Sequence, residues 1–103
     1  MITAGQLRAS RALLGLDQRQ LAELCGVSLP TIQRMEASAG TVRGMIDTLV
    51  KIVTALDAAG VELLGDHAPS QGSGRGVRLK EPVPAVAAVH ASVRLSKVET
   101  PAA

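Results

Sequence analysis

The chain has 103 residues, of which 47% are hydrophobic, and its formal net charge is +2. That length suits one small domain with an appendage, and so small a charge does not by itself indicate nucleic-acid binding. Because Phe, Tyr and Trp are absent, the core is expected to be aliphatic, and single-stranded nucleic-acid binding by aromatic stacking is disfavoured.

The first predicted helix begins after Thr3 and ends at about Leu14. Thr3 and Gln6 have the spacing of a capping box, which satisfies two backbone N–H groups at a helix start. Leu7, Arg11 and Leu14 recur at helical spacing and share one face. An arginine on an inward face needs a partner. The alternative is that Arg11 lies along the surface and extends its charge into water.

Two short helices joined by a tight turn are predicted in residues 17–36, DQRQLAELCGVSLPTIQRME. Asp17 and Gln20 have the spacing of a second capping box, and Gly26 can end a helix in the left-handed conformation. Ser28 can cap the helix that follows. The residues on the inward faces are Leu21, Ala22, Cys25, Ile32 and Met35. This layout is typical of a DNA-binding helix-turn-helix, whose second helix enters the major groove; a plain helical hairpin is the alternative.

The outward side of the second helix, residues 29–36, carries the groups expected to contact DNA. Gln33 can bond adenine, and Arg34 can bond guanine or clamp a phosphate. Smaller contacts near the helix start are expected from Ser28, Leu29, Pro30 and Thr31. With only two long polar side chains, one domain should discriminate poorly between sequences, so two copies are expected to act together. The alternatives are a solvated face for Gln33 and Arg34, and helix-start packing for Leu29 and Pro30.

The same stretch resembles the Cro and phage-repressor family of regulators, often called Xre-like. The matching residues, in order and spacing, are Gln18, Ala22, Gly26, Val27, Ser28, Thr31, Ile32 and Glu36. The resemblance covers roughly residues 3–60. It implies that Arg11 forms an ion pair with Glu36, at the end of the recognition helix. It also implies that Gln18 holds the DNA backbone, and that a loop over residues 37–44, with Arg43, lies against phosphates.

A longer helix is predicted from about Met45 to Ala59, ended by Gly60. Its apolar stripe consists of Met45, Leu49, Ile52, Val53 and Leu56. Ile46 and Val50 widen this stripe, which predicts burial on more than one side. Residues 1–60 are therefore expected to form a mainly α, four-helix DNA-binding domain.

Residues 61–103 have a different character and are expected to form a C-terminal extension. Two short apolar segments, residues 61–64 and 77–80, flank a glycine-rich loop over residues 65–76. This pattern favours a β-hairpin, and hence a small C-terminal β appendage. A short fifth helix over residues 61–65 is the alternative.

The most distal segment, residues 85–98, fits either a strand or a helix, and its alternation favours a strand. A lone two-stranded hairpin is marginal in water and needs further elements to cover it. We therefore expect residues 61–98 to build a two-fold dimer interface of β character. The alternative is that residues 61–103 capture another protein, as an antitoxin captures its toxin.

Other classes of function find little support in the sequence. The single cysteine, Cys25, excludes an internal disulfide and is expected to be a buried apolar residue. His67 and His90 are isolated, so a metal site is not expected. No catalytic pattern is present, and neither an enzyme nor a cofactor is expected. With no signal peptide or membrane-spanning run, we expect a cytoplasmic protein without membrane contact. Its expected function is that of a repressor that binds double-stranded DNA as a homodimer.

Overall fold

The computed structural model describes residues 2–81, and within them the chain forms four helices and no strand. The helices are α1 (Ala4–Leu14), α2 (Gln18–Cys25), α3 (Leu29–Glu36) and α4 (Ile46–Ala58). α2 packs against α3 and α4, and α1 packs against α3. The prediction of a mainly α, four-helix fold is confirmed.

Side-chain caps begin α1 and α2 as their spacing predicts. The Thr3 hydroxyl accepts the Gln6 backbone N–H at 3.0 Å, and the Gln6 side chain accepts the Thr3 backbone N–H at 2.9 Å. Asp17 and Gln20 make the same reciprocal pair at 2.7 and 2.9 Å. These bonds satisfy N–H groups that a helix start leaves without a partner. The two starts are therefore determined by residues only three positions apart.

The core is aliphatic, as the composition predicts. Its fully buried large side chains include Leu7, Leu21, Ile32, Met35, Ile52 and Leu56, which come from all four helices. Each such side chain contributes about 1.5–3 kcal/mol relative to an exposed one. Cys25 is buried among them, and burial raises the pKa of its thiol because the thiolate loses hydration.

Two further core residues, Ile2 and Val42, come from outside the helices. The Val42 N–H donates to the Ile2 carbonyl at 2.9 Å, and the Ala4 N–H donates to the Gly40 carbonyl at 2.9 Å. This short antiparallel contact ties the loop after α3 to the N-terminus. Helical periodicity cannot predict it, because both residues precede or follow a helix.

One side of α4 is exposed, contrary to prediction. Leu49, Ile52 and Leu56 face the core, whereas Met45 and Ile46 are 74% and 75% exposed. Burial of α4 on more than one side is therefore wrong for the part of the chain that the structure describes. The apolar stripe of α4 is wider than the single face that α2 covers.

The predicted hairpin is also wrong: residues 61–64 and 77–80 belong to no strand, and residues 61–65 form no fifth helix. Val61 and Leu63 pack against the helical core, and the Gln6 side chain donates to the Leu64 carbonyl at 2.8 Å. The first segment is thus held by the domain and does not pair with the second. The strand predicted in residues 85–98 lies outside the described residues.

Candidate nucleic-acid interface

The turn between α2 and α3 is built around Gly26. This residue has a φ of +69°, a left-handed conformation that strains any residue with a Cβ. The Val27 N–H donates to the Ala22 carbonyl at 3.0 Å, and the Val27 side chain packs against the core. The turn therefore stops α2 sharply and turns the chain into α3 within three residues.

Helix α3 has one buried and one open face. Ile32, Met35 and Glu36 are buried, and Gln33 and Arg34 are exposed. The remaining predicted contacts lie at the start of the helix, where Pro30 is exposed and Leu29 and Thr31 are half-buried. The structure thus brings the predicted reading residues of α3 to its exposed side and its first turn.

The start of α3 is capped by a pair of hydroxyls. The Ser28 hydroxyl accepts the Thr31 backbone N–H at 3.3 Å, and the two hydroxyl oxygens lie 2.7 Å apart. Because one hydroxyl donates to the other, Ser28 and Thr31 already share one hydrogen bond. In either orientation the Thr31 oxygen keeps an acceptor site, and the one unused hydroxyl proton remains free to bond a phosphate or a base.

The two long polar side chains of α3 differ in their surroundings. Arg34 donates through Nη1 to the Arg43 backbone carbonyl at 3.3 Å, which links α3 to the loop that follows it. Gln33 makes no side-chain hydrogen bond within residues 2–81. Its amide can therefore donate and accept toward a bound molecule without first breaking an internal bond.

The loop carrying Arg43 lies close to α3. A Cβ at Gly44 would be 3.0 Å from the terminal methyl of Met35, so a glycine permits this close approach. The Arg43 side chain is exposed. A cation from the loop and two polar groups from α3 are therefore carried on connected parts of the surface.

The end of α3 is held by a buried carboxylate. Glu36 accepts from Arg11 at both oxygens, at 2.9 Å from Nε and 3.0 Å from Nη2, and from the Gln18 side-chain amide at 3.1 Å. The Glu36 side chain is 4% exposed and that of Arg11 is 28% exposed. The hydrogen bond to Glu36 raises the pKa of Arg11 above its ordinary high value. The bidentate geometry fixes the orientation of α3 relative to α1.

Gln18, for which the family resemblance implies a contact with the DNA backbone, also makes an internal hydrogen bond. One of its amide N–H groups points to Glu36, which ties the first turn of α2 to the last turn of α3. The carbonyl oxygen and the second N–H have no such role within the described residues. Gln18 is thus part of an internal network. Its second amide N–H remains available to donate to a DNA phosphate.

A known family matches this arrangement. The family model described as "Helix-turn-helix domain" matches residues 4–64, which is more than half of the chain. The chain belongs to the helix-turn-helix domain family. No curated protein and no solved structure shows a significant match.

A helix-turn-helix domain is typically the part of a regulator that binds DNA. The family match extends four residues beyond Gly60. These are the residues whose Val61 and Leu63 side chains pack against the core. The helix-turn-helix domain therefore includes the segment that follows α4.

Sequence reasoning missed the role of Arg8. Its guanidinium donates to the backbone carbonyl of Glu36, the last residue of α3. A cation at a helix C-terminus satisfies an unpaired carbonyl and interacts favourably with the helix dipole. Nothing in the local spacing indicates this contact, because the two residues are 28 positions apart.

Within residues 2–81, no three side chains among His, Cys, Asp and Glu lie where they could share a metal ion. No helix in the same part of the chain has the length and apolar character needed to cross a bilayer.

Proposed function

We propose that this chain is a sequence-specific regulator of the Xre type, which reads the major groove of double-stranded DNA with α3 and represses transcription as a dimer. The observation that carries the proposal is that the Gln33 side chain is exposed on the outer side of α3 and makes no hydrogen bond within residues 2–81. The opposite side of the same helix is anchored through Glu36. A rigid helix with a free amide is suited to bidentate recognition of adenine.

The other groups take positioning roles in this proposal. Arg43 contacts a phosphate from the loop after α3, and Arg34 either contacts guanine or supports that loop through the Arg43 carbonyl. Ser28 and Thr31 bind a phosphate at the N-terminus of α3, where backbone N–H groups and the dipole favour an anion. Leu29 and Pro30 lie against a thymine methyl or the groove wall.

We propose pairing of two copies because α3 of one copy offers few side chains that can contact DNA bases. One bidentate contact supplies about 1–3 kcal/mol of discrimination, which is small beside the roughly 4–10 kcal/mol that separates specific from non-specific binding. Two copies bound to two half-sites double the number of contacts. The resemblance to phage repressors supports both the dimer and repression.

The test begins with selection of bound duplexes from a random library and mapping of bound genomic sites. Affinity for the selected duplex and for a scrambled duplex is then measured by fluorescence anisotropy. Gln33→Ala should weaken binding to the selected duplex by about five- to 150-fold and leave the scrambled duplex almost unaffected, because only the first contains the adenine contact.

Arg43→Ala is the matched control for a phosphate contact. It should weaken binding to both duplexes by a similar factor and reduce the slope of affinity against salt concentration. Equal losses on both duplexes for Gln33→Ala would show that this residue does not read a base. A reporter gene under the selected site then tests repression: increased expression in the presence of the chain would contradict it.

A further inference from the structure

A wide, partly apolar groove is lined by parts of α1 and α4, by residues 36–41 at the end of α3 and in the loop after it, and by residues 61–67 and 77–80. Its volume of about 1810 Å³ exceeds the roughly 300–1,000 Å³ of a typical small-molecule site. The size therefore favours a protein surface as the occupant. The large apolar side chains left open along it are Leu13, Val50, Val77 and Leu79, which are 54%, 51%, 79% and 67% exposed.

One wall of this groove is the ridge formed by residues 77–80, and side-chain bonds hold it in place. Arg78 donates to the Ala68 carbonyl at 2.5 Å and to the Gly65 carbonyl at 3.2 Å. The loop before the ridge is held in turn by Glu62, whose carboxylate accepts the Gln71 backbone N–H at 2.7 Å. The ridge is thus attached to the domain although its apolar side chains are exposed.

The backbone of the ridge is also free to pair. None of its N–H or carbonyl groups takes part in a backbone–backbone hydrogen bond within residues 2–81. A short segment with free backbone groups and alternating apolar and basic side chains is a ready template for strand pairing. Pairing would place the Val77 and Leu79 side chains on one face of the pair, where an apolar surface of a second copy can cover them.

We propose that this groove is the interface between two copies of the chain. The ridges of the two copies pair with each other through their backbones, and the Val77 and Leu79 side chains of each copy pack against Leu13 and Val50 of the other. A two-fold pair requires a surface that is complementary to itself. This surface meets that requirement, because each copy supplies both a ridge and a groove, and the ridge of either copy can pack against the groove of the other.

The charges and the location of the groove agree with a second copy as occupant. Its rim carries Arg8 and Lys80 as well as Glu62 and Asp66. A rim of both signs can match its own copy, whereas a rim of one sign would repel it. The groove reaches the end of α3 at Glu36, but Gln33, Arg34 and Arg43 do not line it, so the proposed interface does not use the residues proposed to contact DNA. The inference deepens the dimer of the proposed function by naming its surface.

The test is sedimentation of the full chain over a range of concentrations. The parent should sediment as a dimer, and Leu79→Lys and Val50→Lys should each raise the dimer dissociation constant by about tenfold or more, because a charge replaces an apolar contact at the centre of the interface. Leu79 lies outside the helices, so its variant should keep the helical circular dichroism spectrum of the parent, while its melting temperature falls by no more than the loss of pairing requires. This separates loss of pairing from loss of folding.

Two matched controls carry the same change on exposed apolar residues outside the groove. Leu24 on α2 is 43% exposed and Ile46 on α4 is 75% exposed. Leu24→Lys and Ile46→Lys should leave the dissociation constant unchanged. A monomeric parent, a dimer that tolerates both groove variants, or a dimer broken only by Ile46→Lys would overturn the assignment.

The DNA measurements separate this inference from the proposed function. Leu79→Lys should weaken binding to a duplex with two half-sites much more than binding to a single half-site, because only the first requires pairing. A chain that dimerises through the groove but binds no duplex would refute the DNA-binding proposal and leave the interface standing. A chain that binds a single half-site and stays monomeric would refute the interface and leave the DNA-binding proposal standing.

Discussion

Removal of the Arg11 side chain should destabilise the domain more than removal of its partner. The Arg11 guanidinium donates to both carboxylate oxygens of Glu36, and Glu36 is 4% exposed whereas Arg11 is 28% exposed. Arg11→Ala leaves an ionised carboxylate that water hardly reaches, and among residues 2–81 only the Gln18 amide is still bonded to it. Glu36→Ala leaves a guanidinium that can turn toward water.

The expected magnitudes follow from that difference in burial. An uncompensated buried charge costs about 3–5 kcal/mol, and we expect a loss in this range for Arg11→Ala. For Glu36→Ala we expect about half as much, since the remaining cation is partly solvated. A loss of about 3 kcal/mol lowers the melting temperature of a domain of this size by about 12–24 °C.

The assay is thermal and urea unfolding followed by circular dichroism. The double variant Arg11→Ala/Glu36→Ala should be more stable than Arg11→Ala alone, because no charge is then left buried. Arg19→Ala is the matched control, since it removes an exposed arginine from α2, and its melt should overlay that of the parent. The reasoning would be refuted if Arg11→Ala also melted with the parent, or if Glu36→Ala were the more damaging change.

Two further predictions concern single residues. Burial raises the pKa of the Cys25 thiol, so alkylation at pH 8 should be more than about tenfold slower in the native chain than in urea; equal rates would contradict its burial. Gly26→Ala should cost about 1–2 kcal/mol, because φ is +69° at this position and no nearby atom contributes to the strain. Gly5→Ala, inside α1 with ordinary van der Waals space for a Cβ, should instead stabilise by about 0.5–1 kcal/mol; a loss at both positions would point to crowding rather than to φ.

The sequence by itself determined most of the helical domain, because the deciding interactions are local. The capping boxes at Thr3 and Asp17 join residues three positions apart, and both are present. Ser28 and Gly26 mark the turn for the same reason. The bounds of α3, Leu29–Glu36, are those that the spacing predicts.

The candidate site was only partly accessible from sequence. The side of α3 that faces outward follows from its periodicity, so Gln33 and Arg34 could be placed on it. The bonds from Arg34 to the Arg43 carbonyl and from Gln18 to Glu36 could not. They depend on how the loop and α2 lie against α3, and they decide which polar groups remain free.

The wrong predictions concern segments whose burial depends on contacts with residues far away in the chain. Residues 61–64 and 77–80 have the pattern of paired strands, but Val61 and Leu63 pack against the helical core instead of pairing with the second segment. Ile46 and Val50 look like core residues and are exposed, because α2 covers only one side of α4 in the described chain. Periodicity shows which residues of a segment can be buried together. Only the tertiary structure decides whether another element is there to bury them, since that depends on contacts between residues far apart in the chain.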